Sequence, residues 1–123
     1  MGQGKYPGEG RERRRDPRVE ATFPLRVSED GEGVKAESIN ISTRGLYCRV
    51  PRHVNLFSKL RVALDLPMGD GRHETLECDG VVVRVDPERE TPGMREYRLA
   101  IYFLNLDAQG ARVIEEFLAG TQN

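Results

Sequence analysis

The chain has 123 residues, which suits a single domain large enough to form a core without a metal site or disulfide bonds. Its formal charge is −1, so no strong overall field attracts polyanions, and this argues against binding of nucleic-acid polymers. The sequence has no apolar run long enough for a membrane helix and no apolar core of a signal peptide at its N-terminus. We therefore expect a cytoplasmic protein that does not insert into membranes.

The N-terminal segment, residues 1–18, is rich in glycine, proline and charge and offers almost nothing to bury, so we predict a flexible arm. From Val19 to Val27, apolar and polar residues alternate, which predicts a strand with one buried face. Pro24 cannot donate a ladder hydrogen bond. We therefore expect this strand to lie at a sheet edge or to carry a bulge at Pro24.

The same alternation predicts five further strands, over residues 34–41, 46–50, 60–66, 73–85 and 97–103. In the strand over 73–85 the apolar parity slips at Asp79-Gly80, which predicts a bulge or a bend there. The last segment has helical spacing, and we expect Asp107 to cap the helix and Gly120 to end it. Residues 19–120 are thus predicted to form an all-β domain, a six-stranded antiparallel β-barrel with a C-terminal α-helix.

Arginines are concentrated in the predicted arm, at Arg11, Arg13, Arg14, Arg15 and Arg18. Because Asp16 precedes Pro17, the segment is disfavoured as a helix, and an extended chain would place Arg14 and Arg18 on the same side. Two guanidinium groups that project together suit a ligand with phosphates or guanine edges. A solvated charge run, a nuclear-localisation-like patch and a tether to acidic lipid are the alternatives for this arm alone.

The second polar motif is NISTRGLY, from Asn40 to Tyr47. Its asparagine, serine and glycine suit a turn, in which Gly45 could take a positive φ. Asn40-Ile41-Ser42 is also an N-x-S glycosylation sequon, although the sequence offers no secretory signal. In the third interpretation, Asn40 and Ser42 face the same way and present an amide and a hydroxyl to a ligand. Gly45 would then let that ligand approach the backbone.

Together the two motifs resemble those of the PilZ domain family, whose pattern is RxxxR followed by D/N-x-S-x-x-G. Here they are Arg14-x-x-x-Arg18 and, after one strand and a hairpin, Asn40-x-Ser42-x-x-Gly45. The resemblance extends over residues 13–118 and implies the PilZ-like split barrel with a C-terminal helix. Two departures lie outside the motifs. Ala100 stands where many members carry glycine, and residues 57–59 lack a glycine that is common before the fourth strand.

PilZ domains are receptors for cyclic di-GMP, a bacterial second messenger, so the resemblance implies this ligand. The arginines would contact its phosphates and guanine edges, while the second motif would hydrogen-bond it on the barrel surface. The binding residues that the resemblance implies are Arg14, Arg18, Asn40, Ser42 and Gly45, and we add Arg13 and Arg15 as helpers outside the defining positions.

The resemblance further implies a receptor that orders its arm over the nucleotide and signals to a downstream protein, in motility or biofilm control. The alternative is a PilZ-like protein-interaction module that does not bind nucleotide. We do not expect an enzyme, because the sequence has no nucleophile with a base, no paired carboxylates in a credible pocket and no P-loop. Cys48 and Cys78 form no CxxC motif, so we expect reduced thiols and neither metal nor cofactor.

Overall fold

The computed structural model describes residues 18–121 of the chain. Most of the predicted arm, including Arg13, Arg14 and Arg15, therefore lies outside the described residues. Within the described range there are seven strands and one helix: β1 (Val19–Glu20), β2 (Pro24–Glu29), β3 (Glu32–Ile41), β4 (Gly45–Val50), β5 (Lys59–Pro67), β6 (His73–Asp86), β7 (Tyr97–Phe103) and α1 (Ala108–Thr121).

Six of these strands form a closed antiparallel barrel. The order around the ring is β3, β2, β5, β6, β7 and β4, and the pairing of β4 with β3 closes it. The two-residue β1 pairs only with the end of β3. The predicted six-stranded antiparallel barrel with a C-terminal helix is thus confirmed, with one short extra strand. Closure satisfies the backbone on both sides of each barrel strand.

The first predicted strand is interrupted, and its two parts are β1 and β2. Glu20 pairs with Asn40, whereas Pro24 pairs with Glu37, so the register along β3 shifts by one residue between them. The irregularity expected near Pro24 is therefore present as a bulge. β2 as a whole is not an edge strand, because it pairs with β3 on one side and with β5 on the other, but Pro24 itself pairs only with Glu37 of β3.

Ser38 of β3 holds the interruption together. Its side chain is fully buried, and its hydroxyl accepts a hydrogen bond from the Phe23 amide at 2.8 Å while it donates to the carbonyl of Ala21. These bonds replace the ladder bonds that the bulge removes, which matters because unpaired buried backbone groups are costly. Sequence patterning did not identify this role for Ser38.

The barrel core consists of the inward side chains of alternating strand positions. In β4 and β7 these are the residues predicted from the alternation, and all of them are buried: Leu46, Cys48, Val50, Tyr97, Leu99, Ile101 and Phe103. Burial of apolar area stabilises the fold by about 25 cal/mol per Å². These two strands are therefore fixed in register by their pattern, since a slip of one residue would expose every one of these side chains.

β6 contains a bulge, but not at Asp79-Gly80, where the sequence predicted it. Alternation continues through Asp79-Gly80, and Val82 is fully buried. The register against β7 instead shifts between Val82 and Arg84, so that Val83 is the inserted residue and is 49% exposed. The run of apolar residues in this strand hid the slip, because valine fits either face of a strand.

Helix α1 begins where the sequence predicts. The carboxylate of Asp107 accepts a hydrogen bond from the Gly110 amide at 2.7 Å, so Asp107 is the N-cap. Ile114, Phe117 and Leu118 are buried, and the Phe117 ring meets that of Phe23 edge-on at a centroid distance of 5.5 Å. The expectation that Gly120 ends the helix is wrong, since the helix includes Thr121.

The described residues, 18–121, contain neither a membrane-spanning helix nor a metal-binding group of side chains. The one helix among them is too short to cross a bilayer. Among the same residues, no three histidine, cysteine or acidic side chains are grouped so that they could hold a metal ion.

We predict that both cysteines are unreactive in the folded protein. Cys48 and Cys78 are free and buried, and burial raises their thiol pKa to about 12 and about 11 respectively. Because only the thiolate reacts, at pH 8 about one thiol in a thousand or fewer is available. A thiol-specific disulfide reagent should therefore label neither cysteine in buffer and both in denaturant. Rapid labelling of the native chain would contradict the burial of these side chains.

Candidate functional site

The second motif lies at the point where β1, β3 and β4 meet. In β3, Ser38 pairs with Cys48, but Asn40 pairs with Tyr47, because the register against β4 shifts between Ser38 and Asn40. Without this bulge Asn40 would share the inward face of Ser38, since side chains two apart in a strand point the same way. The bulge places Asn40 with the outward residue Tyr47, where it is half-buried. The outer surface of the barrel thus gains an amide.

Arg18 contacts this amide directly. Its Nη1 donates to Asn40 Oδ1 at 2.8 Å, across a separation of 22 residues. The short β1 ladder that follows, in which Val19 pairs with Ile41 and Glu20 with Asn40, holds the two motifs in this register. The last arginine of the first motif and the first residue of the second are therefore brought together by backbone pairing as well as by their side chains.

The Arg18–Asn40 pair keeps most of its hydrogen-bonding capacity. Arg18 is exposed, and a guanidinium group has five N–H donors, of which this bond uses one. The Asn40 amide nitrogen still offers two donors, since its oxygen is the acceptor here. Exposed Glu20, directly across from Asn40, adds a carboxylate acceptor. The pair can thus bind an anion, and the carboxylate beside it can accept from a donor on the same ligand.

Ser42 is fully buried, unlike Asn40. Its hydroxyl accepts a hydrogen bond from the Arg44 amide at 3.1 Å, and its amide donates to the Gly45 carbonyl at 2.9 Å. The turn interpretation of this stretch is therefore confirmed. The expected side-by-side presentation of Asn40 and Ser42 is not found in this conformation, and a contact between the Ser42 hydroxyl and a ligand stays a prediction.

We expect Ser42→Ala to destabilise the fold. The substitution removes the hydroxyl that accepts from the Arg44 amide, a loss of about 1–2 kcal/mol in the free energy of unfolding. Urea denaturation followed by circular dichroism measures this. Ser28→Ala, at a half-buried position of β2, is the control and should change stability by less than about 0.5 kcal/mol. Equal stability of the two variants would show that the Ser42 hydroxyl does not hold the turn.

Gly45 is required by strand packing. A Cβ on Gly45 would lie far inside van der Waals contact of the Ile101 carbonyl oxygen in β7. This neighbour is backbone, so it cannot move aside as a side chain could. The φ of Gly45 is not in the left-handed region, so the positive φ considered from the sequence is wrong. The structure thus gives this glycine a role in the close packing of β4 against β7, and close approach of a ligand at Gly45 stays a prediction.

Two further residues complete the outer surface beside Asn40. Tyr47 pairs with Asn40 on one side and with Ala100 of β7 on the other, so the three lie in one row across β3, β4 and β7. Tyr47 is half-buried and offers part of its ring to the surface. The sequence indicated that Tyr47 lies on the outer face, because it alternates with the core residues of its strand. Its proximity to Asn40 depends on the bulge, which the sequence did not indicate.

Comparison with sequence families gives one finding. A sequence model described as the PilZ domain matches residues 12–120, which is most of the chain. A search among curated proteins found no match.

Solved structures share the fold at low sequence identity. The Bacillus subtilis inhibitor of motility, MotI/DgrA, superposes with a TM-score of 0.72 at 17% identity, covering 87% of this chain and 50% of that one. Escherichia coli YcgR in complex with cyclic di-GMP superposes with a TM-score of 0.66 at 15% identity, covering 89% of this chain and 46% of that one. The PilZ domain of Escherichia coli YcgR with cyclic di-GMP superposes with a TM-score of 0.64 at 17% identity, covering 89% of this chain and 92% of that one. The chain thus spans about half of the first two proteins and nearly all of the isolated domain.

Proposed function

The chain belongs to the PilZ domain family, and from this premise we propose that it is a receptor for cyclic di-GMP. The observation that carries the proposal is the 2.8 Å hydrogen bond between Arg18 and Asn40, because it joins the two motifs of the family at one place on the barrel. Two of the similar structures are complexes with this nucleotide, YcgR and its PilZ domain.

The chemistry of the site suits the ligand. Cyclic di-GMP carries two phosphates and two guanines. A guanidinium group can bind a phosphate through two parallel hydrogen bonds, or the O6 and N7 atoms of a guanine. Arg18 has free donors for either contact, and the Asn40 amide nitrogen can donate to the same groups. The Glu20 carboxylate can accept from the amino group at guanine N2.

Tyr47 would provide the surface under the base. Its ring lies between Asn40 and Ala100 on the outer face, and base–aromatic stacking is worth about 1–3 kcal/mol. The small side chain of Ala100 would leave room beside the ring. We therefore place one guanine of the ligand over Tyr47, with its polar edge toward Asn40.

The segment with Arg13, Arg14 and Arg15 would close over the bound nucleotide. Ordering it costs about 1–2 kcal/mol per residue in backbone entropy. Charge-assisted hydrogen bonds, at about 1.5–3 kcal/mol each, would offset that cost. Binding would thus change the position of the segment, and a downstream protein could respond to the change. One of the proteins of similar structure is an inhibitor of motility.

Isothermal titration calorimetry with cyclic di-GMP tests the proposal and gives the number of ligands per chain. Cyclic di-AMP is the control, since it keeps both phosphates and replaces both guanines. We expect saturable heat with cyclic di-GMP alone. NMR of the labelled protein should then show shifts at the amides of Arg18 and of residues 40–47. If calorimetry gives no heat of binding and NMR gives no shifts, the protein is the alternative, an interaction module that does not bind nucleotide.

A further inference from the structure

A strip of exposed apolar side chains crosses the outside of the barrel. The exposed fractions are 72% for Phe57, 49% for Val83, 45% for Tyr102 and 48% for Leu104. Single exposed apolar residues are ordinary on a protein surface, whereas neighbouring ones form a patch of the kind that marks an interaction site. We call this the outer strip and define it as the exposed Phe57, Val83, Tyr102 and Leu104 together with half-buried Val81.

The strand registers show that these residues are neighbours. Val81 pairs directly with Tyr102. Phe57 donates its amide to the Val82 carbonyl at 2.7 Å, which places it beside Val83, the bulged residue of β6. Tyr102 pairs on its other side with Gly45, which has no side chain to cover the ring. The outer strip is therefore continuous, and its exposure results from the bulge and from a bare glycine.

Phe57 is the most informative member of the strip. Its φ is 70°, in the left-handed region that favours glycine and is strained for a bulky residue. Glycine at this position would remove the strain. Phenylalanine instead keeps a ring that is 72% exposed and so contributes little to the core. A strained backbone that presents an apolar ring to solvent indicates a binding role for that ring.

The charges around the outer strip select its occupant. Lys59 pairs with Val81 and Arg84 pairs with Ala100, so the two cations border the strip. Both are exposed, and within residues 18–121 neither forms an ion pair. Arg61, by contrast, is paired with Glu77 and Asp79 at 3.4 and 3.2 Å. The border of the strip therefore carries a positive charge that is not neutralised by described residues.

This charge pattern disfavours two other occupants. A second copy docked through the same face would bring the Lys59 and Arg84 cations of both copies into one interface. An anionic bilayer would meet the carboxylates of Glu77 and Asp79, which share the single cation of Arg61 on the same outer face. Asp79 lies beside Leu104. A narrower partner can contact the strip and its cations without meeting those carboxylates. We propose that the outer strip binds an acidic amphipathic segment of a partner protein, with its apolar face on Phe57 and Tyr102.

The test uses two matched synthetic peptides and the full chain. One is an amphipathic helix with leucines on one face and glutamates on the other, and its control has lysine in place of each glutamate. We expect the acidic peptide to shift the amides of residues 56–59, 81–84 and 102–104 in NMR spectra of the labelled protein. Lys59→Glu together with Arg84→Glu should reverse the preference between the peptides. If the peptides bind equally or not at all, the proposal is wrong.

Phe57→Gly separates binding from folding. The glycine relieves the left-handed φ, so the variant should melt at or above the wild-type Tm. It should nevertheless raise the Kd for the acidic peptide at least tenfold, since exposed aromatic residues dominate such interfaces. Met94→Gly removes an exposed apolar side chain outside the strip, at 42% exposure, and should leave the Kd unchanged. A wild-type Kd for Phe57→Gly would overturn the assignment of this ring.

Three results would assign the strip to another occupant and overturn the proposal. Sedimentation velocity would detect a dimer that Phe57→Gly abolishes. Binding to vesicles that contain phosphatidylserine, lost in the same variant, would identify a bilayer. A spin label on Gln3→Cys that broadens the Phe57 and Tyr102 amides in the free protein would identify the chain's own N-terminal segment; the buried native thiols would remain unlabelled. None of these results depends on cyclic di-GMP, so the nucleotide proposal is tested separately.

Discussion

Arg18→Ala is expected to weaken the binding of cyclic di-GMP at least tenfold in calorimetry. Each lost charge-assisted hydrogen bond corresponds to about 1.5–3 kcal/mol, and about 1.4 kcal/mol is a factor of ten in Kd. The substitution also removes the contact that orients Asn40. Arg18 is exposed, so the fold should lose less than about 0.5 kcal/mol of stability, and the change in Kd will report on the site alone.

Two further variants make this result specific. Arg18→Lys keeps the charge but loses the planar fork, and it should bind almost as weakly as Arg18→Ala if the fork grips a phosphate or a guanine edge. Arg26→Ala removes an exposed arginine of β2 outside the site and should bind as wild type does. Arg14→Ala tests the motif residue that lies outside the described part of the chain. Wild-type affinity in both Arg14→Ala and Arg18→Ala would show that these arginines do not bind the nucleotide.

Alternation predicted the barrel well because the barrel itself imposes it. Each strand of a closed barrel has one inward and one outward face, so the pattern in β4 and β7 follows directly from burial. The helix cap at Asp107 was equally local, since the carboxylate bonds an amide three residues away. Features that depend on a few adjacent residues were therefore accessible from the sequence alone.

The site was less accessible because bulges create it. The shift after Ser38 moves Asn40 to the outer face, and the inserted Val83 becomes exposed in β6. Each shift is a property of two paired strands and leaves little trace in either sequence. The motifs identified Arg18 and Asn40 as candidate binding residues, whereas their direct hydrogen bond and the burial of the Ser42 hydroxyl followed only from the folded structure.

Gly45 shows how a motif residue can have a structural cause. A Cβ on Gly45 would collide with the backbone of Ile101, at the point where β4 pairs with β7. β4 and β7 would have to separate two residues away from Tyr47, which pairs with Asn40. The binding surface therefore depends on this glycine even if no ligand atom touches it.

We accordingly expect Gly45→Ala to lower the free energy of unfolding by about 3 kcal/mol or more, the upper range for overpacking in a well-packed interior. The free energy of unfolding of a domain of this size is about 5–15 kcal/mol, so the loss is a large fraction of it. Urea denaturation measures it, with Gly69→Ala as the control, since a Cβ there meets nothing within 4 Å and should be nearly neutral. If Gly45→Ala is instead as stable as the control but fails to bind cyclic di-GMP, the glycine serves ligand approach. Loss of stability with normal affinity of the remaining folded protein would assign the glycine to the packing of β4 against β7 alone.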